Sequence, residues 1–286
     1  MAGVSIGQDQ DVRGALINDV HERFVHEEFR DIPFASESEN SSAGPGVATG
    51  DVNNVYSGRN HFQYHVLGAG QTIDGPVKTS GGWNISQDLT DDEGVEYTLG
   101  NEYPENTVIS NVAGATRGTF TVGTDAPFYF ALKFTIADVS GTDDCLVGFR
   151  KAEAYQTGPD AYDEWAALNV ISGDINIETE LNGGGTTTTD TTDNWTDGQT
   201  KTLMVICDSD GSLSQDGTVG KCYYFIDGLA PTTDATTRYK FDSGEIVIPF
   251  FFMLHATTSP GINTLKLWES GFYPMGESAQ AEFGAA

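Results

Sequence analysis

The feature that most constrains this chain is a pair of short apolar runs around a loop of Asp, Ser and Gly. The first run is Thr202-Leu203-Met204-Val205-Ile206-Cys207, and the second is Lys221-Cys222-Tyr223-Tyr224-Phe225-Ile226-Asp227-Gly228. Runs this short, rich in β-branched and aromatic residues, favour strands, and the Gly-containing polar loop between them predicts a β-hairpin. The closing Asp-Gly predicts a further tight turn, with Asp227 as a turn residue and not an acid catalyst.

Similar runs recur along the chain. Phe128, Phe130, Leu132, Phe134 and Ile136 alternate with Tyr129, Ala131, Lys133, Thr135 and Ala137, the period of a half-buried strand. Cys145 to Phe149 follows across a Gly141-Thr142-Asp143-Asp144 turn. Leu168 to Ile171 and Ile175 to Leu181 flank Ser172-Gly173-Asp174 as another hairpin. Gly183 to Gly185 with Thr186 to Thr189 reads as a low-complexity loop. Glu245 to His255 places Ile246, Ile248, Phe250, Phe252 and Leu254 on one face, and Pro249 inside it predicts an edge strand or a bulge. Thr264 to Trp268 closes the set. The connections are too short for parallel crossovers, so the expectation is an all-β, antiparallel two-sheet sandwich or jelly roll.

The first forty residues differ. Asp11 to Arg30 is charged and spaces Leu16, Val20 and Phe24 four apart, which predicts a short amphipathic helix stopped before Pro33. Ser36 to Gly46 has linker chemistry. The expected organisation is an extended or partly helical N-terminal arm and linker (1–50), a β-sandwich (51–275) and a C-terminal tail (276–286).

Composition excludes some partners. Lys+Arg 14 against Asp+Glu 42 gives a formal charge of -28, which repels phosphate backbones and anionic lipid, so neither nucleic acid nor membrane is expected as a partner. No apolar run is long enough to span a bilayer. The N-terminus lacks the basic and apolar regions of a signal peptide, which implies synthesis in a cytoplasm. Asn-x-Ser/Thr at Asn40, Asn84 and Asn194 is then read as chance. Cys145, Cys207 and Cys222 are an odd set and read as buried free thiols. A cross-strand bond between Cys207 and Cys222, near the two ends of the hairpin loop, would be strained, so free thiols are the expectation.

Chemistry-bearing patterns are sparse. Gly-x-Ser-x-Gly occurs once, at Gly3 to Gly7, without the apolar strand run that an elbow follows, and there is no recognisable Cys-His context. His61 and His65 share a strand face, which suits a metal only if a third ligand converges. Asp208-x-Asp210-Gly211 with Asp216 faintly resembles a calcium loop, but Val219 stands where an EF-hand needs its Glu, and a plain hairpin loop explains it. Asp163-Glu164 beside Trp165 and Asp91-Asp92-Glu93 are acidic clusters that a chain this acidic produces by chance. No cofactor is expected. Trp83, Trp165 and Trp195, with Tyr155 and Tyr162, fall near loops, where exposed rings stack on sugars; Trp83, Trp165, Trp195 and Tyr162 are the candidate glycan contacts.

Asp125 to Phe134 with Val147-Gly148-Phe149, then Asp197 to Val205 with Tyr223 to Gly228, then Phe250-Phe251-Phe252 and Leu265-Lys266-Leu267, resemble the core hairpins and closing strands of concanavalin A-like (laminin G-like) jelly rolls. Within these, the pattern resembles the lectin-like virion structural proteins of tailed bacteriophages, over about Gly82 to Pro274. The resemblance implies a non-enzymatic capsid decoration (cement) protein, made in the host cytoplasm and located in the virion. It would form a homo-oligomer and dock on the major capsid protein or other virion subunits. Leu16, Val20, Phe24, Phe29 and Phe34 of the arm would be the docking anchors. The alternative is a glycan-binding adhesin of a tail fibre or host-recognition apparatus, with surface glycans as partners. A third reading is a glycoside hydrolase of the same fold, against which stands the missing Glu-x-Asp-x-x-Glu signature of the laminarinase-like group.

Overall fold

The computed structural model describes residues 119–273, save 154, 157 and 256–262, together with strands at 25–28, 52–57, 60–67, 77–79, 82–84 and 94–99. In chain order the strands are β1 (Val25–Glu28), β2 (Val52–Ser57), β3 (Asn60–Leu67), β4 (Val77–Thr79), β5 (Gly82–Asn84), β6 (Gly94–Leu99), β7 (Phe120–Thr121) and β8 (Phe128–Ile136). They continue as β9 (Thr142–Lys151), β10 (Trp165–Ile171), β11 (Asp174–Glu180), β12 (Thr187–Asn194), β13 (Thr200–Asp208), β14 (Lys221–Ile226), β15 (Ile246–His255) and β16 (Asn263–Phe272).

Among the described residues these form two antiparallel sheets. The seven-stranded sheet runs β14-β13-β8-β16-β5-β4, with β1 also on β16. The nine-stranded sheet runs β12-β11-β10-β9-β15-β6-β3-β2, with β7 also on β15. This is the antiparallel two-sheet jelly-roll sandwich that the strand pattern implied. The alternating Phe128, Phe130, Leu132, Phe134 and Ile136 of β8 are all buried in the core between the sheets, where apolar area leaves water at about 25 cal/mol per Å². Aromatic rings interlock there: Phe130 on Trp268 at 4.3 Å, Phe134 on Trp195 at 4.6 Å and Phe128 on Phe149 at 5.0 Å between centroids.

The turns follow the residue chemistry. Ser172 and Gly173 (φ 49 and 96) join β10 to β11, and Asp227 and Gly228 (φ 52 and 80) return the chain after β14. Positive φ at both central positions is what a two-residue hairpin turn demands, and Asp and Gly tolerate it. The Asp227 carboxylate accepts from Thr202 N–H at 2.8 Å, which confirms it as a turn residue.

Three expectations change. Val25–Glu28, inside the expected helix, is a strand: Val25 pairs with Ser270 and Glu28 with Leu267, so part of the arm joins the sandwich. The Thr-rich stretch is no loop; Thr187–Asn194 is an edge strand on β11, as β-branched residues favour. β15 is central and not an edge. Its odd-numbered side carries Glu245 C=O bonded to Val122 N–H, while Ile246 C=O bonds Ala152 N–H on the β9 side. Alternation therefore aims the Pro249 nitrogen at the seam between the pairing of β15 with β7, last at Val247, and its pairing with β6, first at Phe250, and no ladder bond is lost.

Candidate functional site

The side of the nine-stranded sheet turned away from the core carries the densest set of buried polar groups. Register sets its rows. Glu180, Trp165, Arg150 and Ile248 lie side by side across β11, β10, β9 and β15, and Asn176, Asn169, Leu146 and Phe252 form a parallel row. Phe252 in turn neighbours Glu96 on β6. The face expected from Ile246, Ile248, Phe250, Phe252 and Leu254 is this outer one. Phe250 and Phe252 pack there with Leu146, Ala167, Trp165 and Tyr162, while Val247, Phe251 and Met253 fill the core.

One end of this face is a closed ion-pair centre. Arg150 Nε donates to Glu96 Oε1 at 2.6 Å with both side chains fully buried. Tyr162 O–H donates to the other oxygen of Glu96. The guanidinium lies 4.3 Å from the Tyr162 ring centroid and 5.4 Å from that of Tyr155. Its Nη1 donates to the carbonyls of Lys151 at 2.9 Å and Glu153 at 3.2 Å. Burial pushes the Glu96 carboxyl up, against the pull of Arg150 and Tyr162. Paired and hydrogen-bonded in this way, the buried charges are tolerated, and they fasten the segment 152–164 over the sheet.

The other end is open. Asn169 Nδ2 donates to Asp144 Oδ1 and to Glu178 Oε2, each at 2.7 Å, while its Oδ1 accepts from Cys145 N–H at 2.7 Å. Both amide hydrogens are thereby spent on the carboxylates and the oxygen is anchored to the backbone, so the amide holds the carboxylates at fixed orientation. Glu178 also accepts from Thr188 O–H at 3.0 Å. Asp144 is half-buried, Glu178 is 6 % exposed, and Thr188, Asp190 and Asp160 around them are exposed. Loss of solvent pushes the Asp144 carboxyl up to about 6, with the charges of Glu178, Asp143 and Asp160 adding to it. Tyr155, half-exposed, belongs to the closed end instead: its ring faces the Arg150 guanidinium and its O–H is hydrogen-bonded to Thr98 Oγ1 at 2.6 Å.

The candidate glycan contacts read from sequence do not stand at the open end. Trp83, Trp165, Trp195 and Tyr162 are all at most 2 % exposed. Trp83 meets Phe62 edge-on between the sheets, and Trp195 packs on Phe134. Trp165 lies under the 152–164 segment, and Tyr162 is spent on Glu96 and Arg150. Loop position in the sequence did not translate into exposure, because these rings bury large apolar surfaces where strands end. Sequence reasoning missed Asp144, Asn169 and Glu178. The one local signal was on β11, where Asn176, Glu178 and Glu180 stand two apart among buried isoleucines. The docking anchors Leu16, Val20, Phe24, Phe29 and Phe34 lie outside the described residues.

Asp91-Asp92-Glu93 lies outside the described residues, and the acidic loop at 208–216 is explained locally. Asp208 accepts from Leu213 N–H at 3.0 Å and Ser214 N–H at 2.8 Å, and Asp210 from Ser212 N–H. Asp216 binds Lys221 Nζ at 2.7 Å, which holds its carboxyl below the usual range. This loop uses its carboxylates to cap its own backbone. Asp163 pairs with Lys151 at 2.7 Å, whereas Glu164 is buried and pushed up to about 7 by loss of solvent. Register sets His65 opposite Glu96 on β6 and His61 opposite Tyr56 on β2. No cluster of three metal-ligating side chains occurs among the described residues.

No protein-family model matches the chain, and no curated protein matches its sequence. Solved structures do resemble it. The carbohydrate recognition domain of Emp47p is 14% identical over 84% of this chain and 100% of that one, with a TM-score of 0.44. The carbohydrate binding module CBM66 from Bacillus subtilis is 11% identical, covering 73% and 94%, at 0.41. An endo-beta-1,4-glucuronan lyase from the fungus Trichoderma reesei is 10% identical, covering 87% and 95%, at 0.41. Binding proteins and an enzyme stand together in that set, and none assigns a function to this chain.

Proposed function

We propose that this chain is a non-catalytic carbohydrate-binding protein, with its site at the open end of the outer face of the nine-stranded sheet. The observation that carries the reading is Asn169 holding Asp144 and Glu178 in fixed orientation beside the exposed Thr188 and Asp190 and within reach of the 152–164 segment. Ionised carboxylates only accept hydrogen bonds, and a sugar presents paired hydroxyl donors that suit two preset acceptors. The charge of -28 and the acidic rim favour neutral sugars over uronates, sialylated or phosphorylated ones.

This reading takes up the adhesin alternative of the sequence and leaves aside virion decoration, since a strand of the supposed docking arm pairs with β16 of its own sandwich. A glycan array followed by calorimetric titration of the best neutral ligand tests it. Asp144→Asn and Glu178→Gln are expected each to weaken binding at least about tenfold, the cost of a lost charge-assisted hydrogen bond. Binding unchanged in both variants would remove the site. Sugar release by the wild-type protein, abolished by Asp144→Asn, would turn the reading into a glycosidase.

A further inference from the structure

Cys207 and Cys222 lie directly opposite one another on β13 and β14. Gly220 N–H bonds to Asp208 C=O at 2.8 Å, one residue along β13, while Cys222 N–H points away to Tyr239 C=O at 2.9 Å. The two cysteines therefore occupy a pair without mutual backbone bonds. In such pairs the Cα atoms are about 4.5 Å apart, at the short end of the span a disulfide bridges. Both side chains are fully buried in the same inter-sheet cluster, where Cys222 Sγ donates to Gly220 C=O at 3.8 Å. Cys145 sits on the opposite sheet, opposite Met253, with its N–H donating to Asn169 Oδ1 at 2.7 Å.

β14 is the last strand of its sheet path, flanked among the described residues by the 239–241 segment. That flank is held by the Cys222–Tyr239 bond, by Phe241 N–H to Gly220 C=O at 3.1 Å and by the Lys221–Lys240 bridge. Few backbone bonds have to open to bring Cys222 to solvent, whereas Cys207 and Cys145 lie in strands paired on both sides.

We propose that Cys207 and Cys222 are an oxidative-modification site, a dithiol that closes to a cross-strand disulfide by exchange with a low-molecular-weight disulfide. With the flank open, Cys222 gives its proton to water. Its thiolate attacks one sulfur of the small disulfide and expels the other half as a thiolate. The Cys207 thiolate then attacks Cys222 Sγ, forming the Cys207–Cys222 bond and expelling the second half. Two protein thiols lose two electrons and two protons, and the small disulfide is reduced to two thiols. Burial raises the Cys207 thiol well above its ordinary range, so the folded, closed state is inert and the reaction runs only through opening. The product closes the 208–221 loop and ties the edge strand to the sheet.

The test is incubation of the folded full chain with oxidised glutathione, then alkylation in denaturant, intact mass and non-reducing tryptic mapping. Cleavage after Lys201, Lys221 and Arg238 puts Cys207 and Cys222 on separate peptides, 202–221 and 222–238, with Cys145 on a third. The expected product takes one alkyl group, at Cys145, and yields a 202–221/222–238 linked peptide that dithiothreitol separates. Cys207→Ser stops at a glutathione adduct on Cys222. Three alkylated cysteines after oxidation of folded protein, or any linked peptide containing Cys145, overturns the proposal.

Discussion

The two faces of the nine-stranded sheet are built on the same strands and are buried by different means. The face toward the core is filled by aromatic and aliphatic side chains such as Phe149, Leu168, Phe251 and Val147. The outward face buries Glu96, Arg150, Asn169 and Glu178, each held by hydrogen bonds of 2.6–3.2 Å. Apolar burial stabilises without direction, whereas a buried polar group costs unless each of its bonds is made. The inner face therefore sets how stable the sandwich is, and the outer face fixes particular groups in particular places. A chain that needed only a stable sandwich would gain more from apolar residues at these outer positions.

The largest effect should come from the inner face. Trp268→Ala empties a fully buried site against Phe130 and Phe62 and should cost about 5 kcal/mol by denaturant unfolding. A loss below about 1 kcal/mol would mean that the sandwich is not held by that core. Next is the ion pair. Arg150→Met strands the buried Glu96 and should cost about 3–4 kcal/mol at pH 8, while the double variant Glu96→Gln, Arg150→Met should recover most of it. The sign with pH follows from Glu96, whose carboxyl is raised by burial. A raised acid contributes stability at low pH that is lost as pH rises, so the Arg150→Met deficit should shrink on going from pH 8 to pH 5. An equal deficit at both values would show that Glu96 is not the stranded charge.

The smallest effect concerns Asp144, pushed up to about 6 by burial. Its contribution is fully present below its unfolded value near 4 and is lost as pH rises through about 6. Asp144→Asn should therefore raise stability at pH 7.5 by about 1–2 kcal/mol and leave it unchanged at pH 3.5. Stability gained there at the expense of ligand affinity would mark Asp144 as a residue kept for binding.

Much of the inner face was legible in the sequence. Strict alternation in Phe128 to Ile136 and the Asp227-Gly228 turn are local signals, and local signals survive folding. The outer face was not. Its floor comes from β6, β9, β10, β11 and β15, and the proximity of Asp144 to Glu178, thirty-four positions on, is set by strand register that no single run encodes. Pro249 misled for the same reason, because its tolerance depends on two other strands meeting beside it. The tryptophans misled in the opposite direction: loop-like neighbours suggested exposure, and ring size won.

The proposed carbohydrate site puts a neutral glycan on the outer face of the nine-stranded sheet. Hydrogen–deuterium exchange with and without a saturating neutral oligosaccharide identified by array tests it most directly. The account predicts added protection in 142–147, 155–163 and 174–180, with the β8, β13 and β14 peptides unchanged. Protection confined to β8, β13 and β14, or none where binding is saturated, would contradict it.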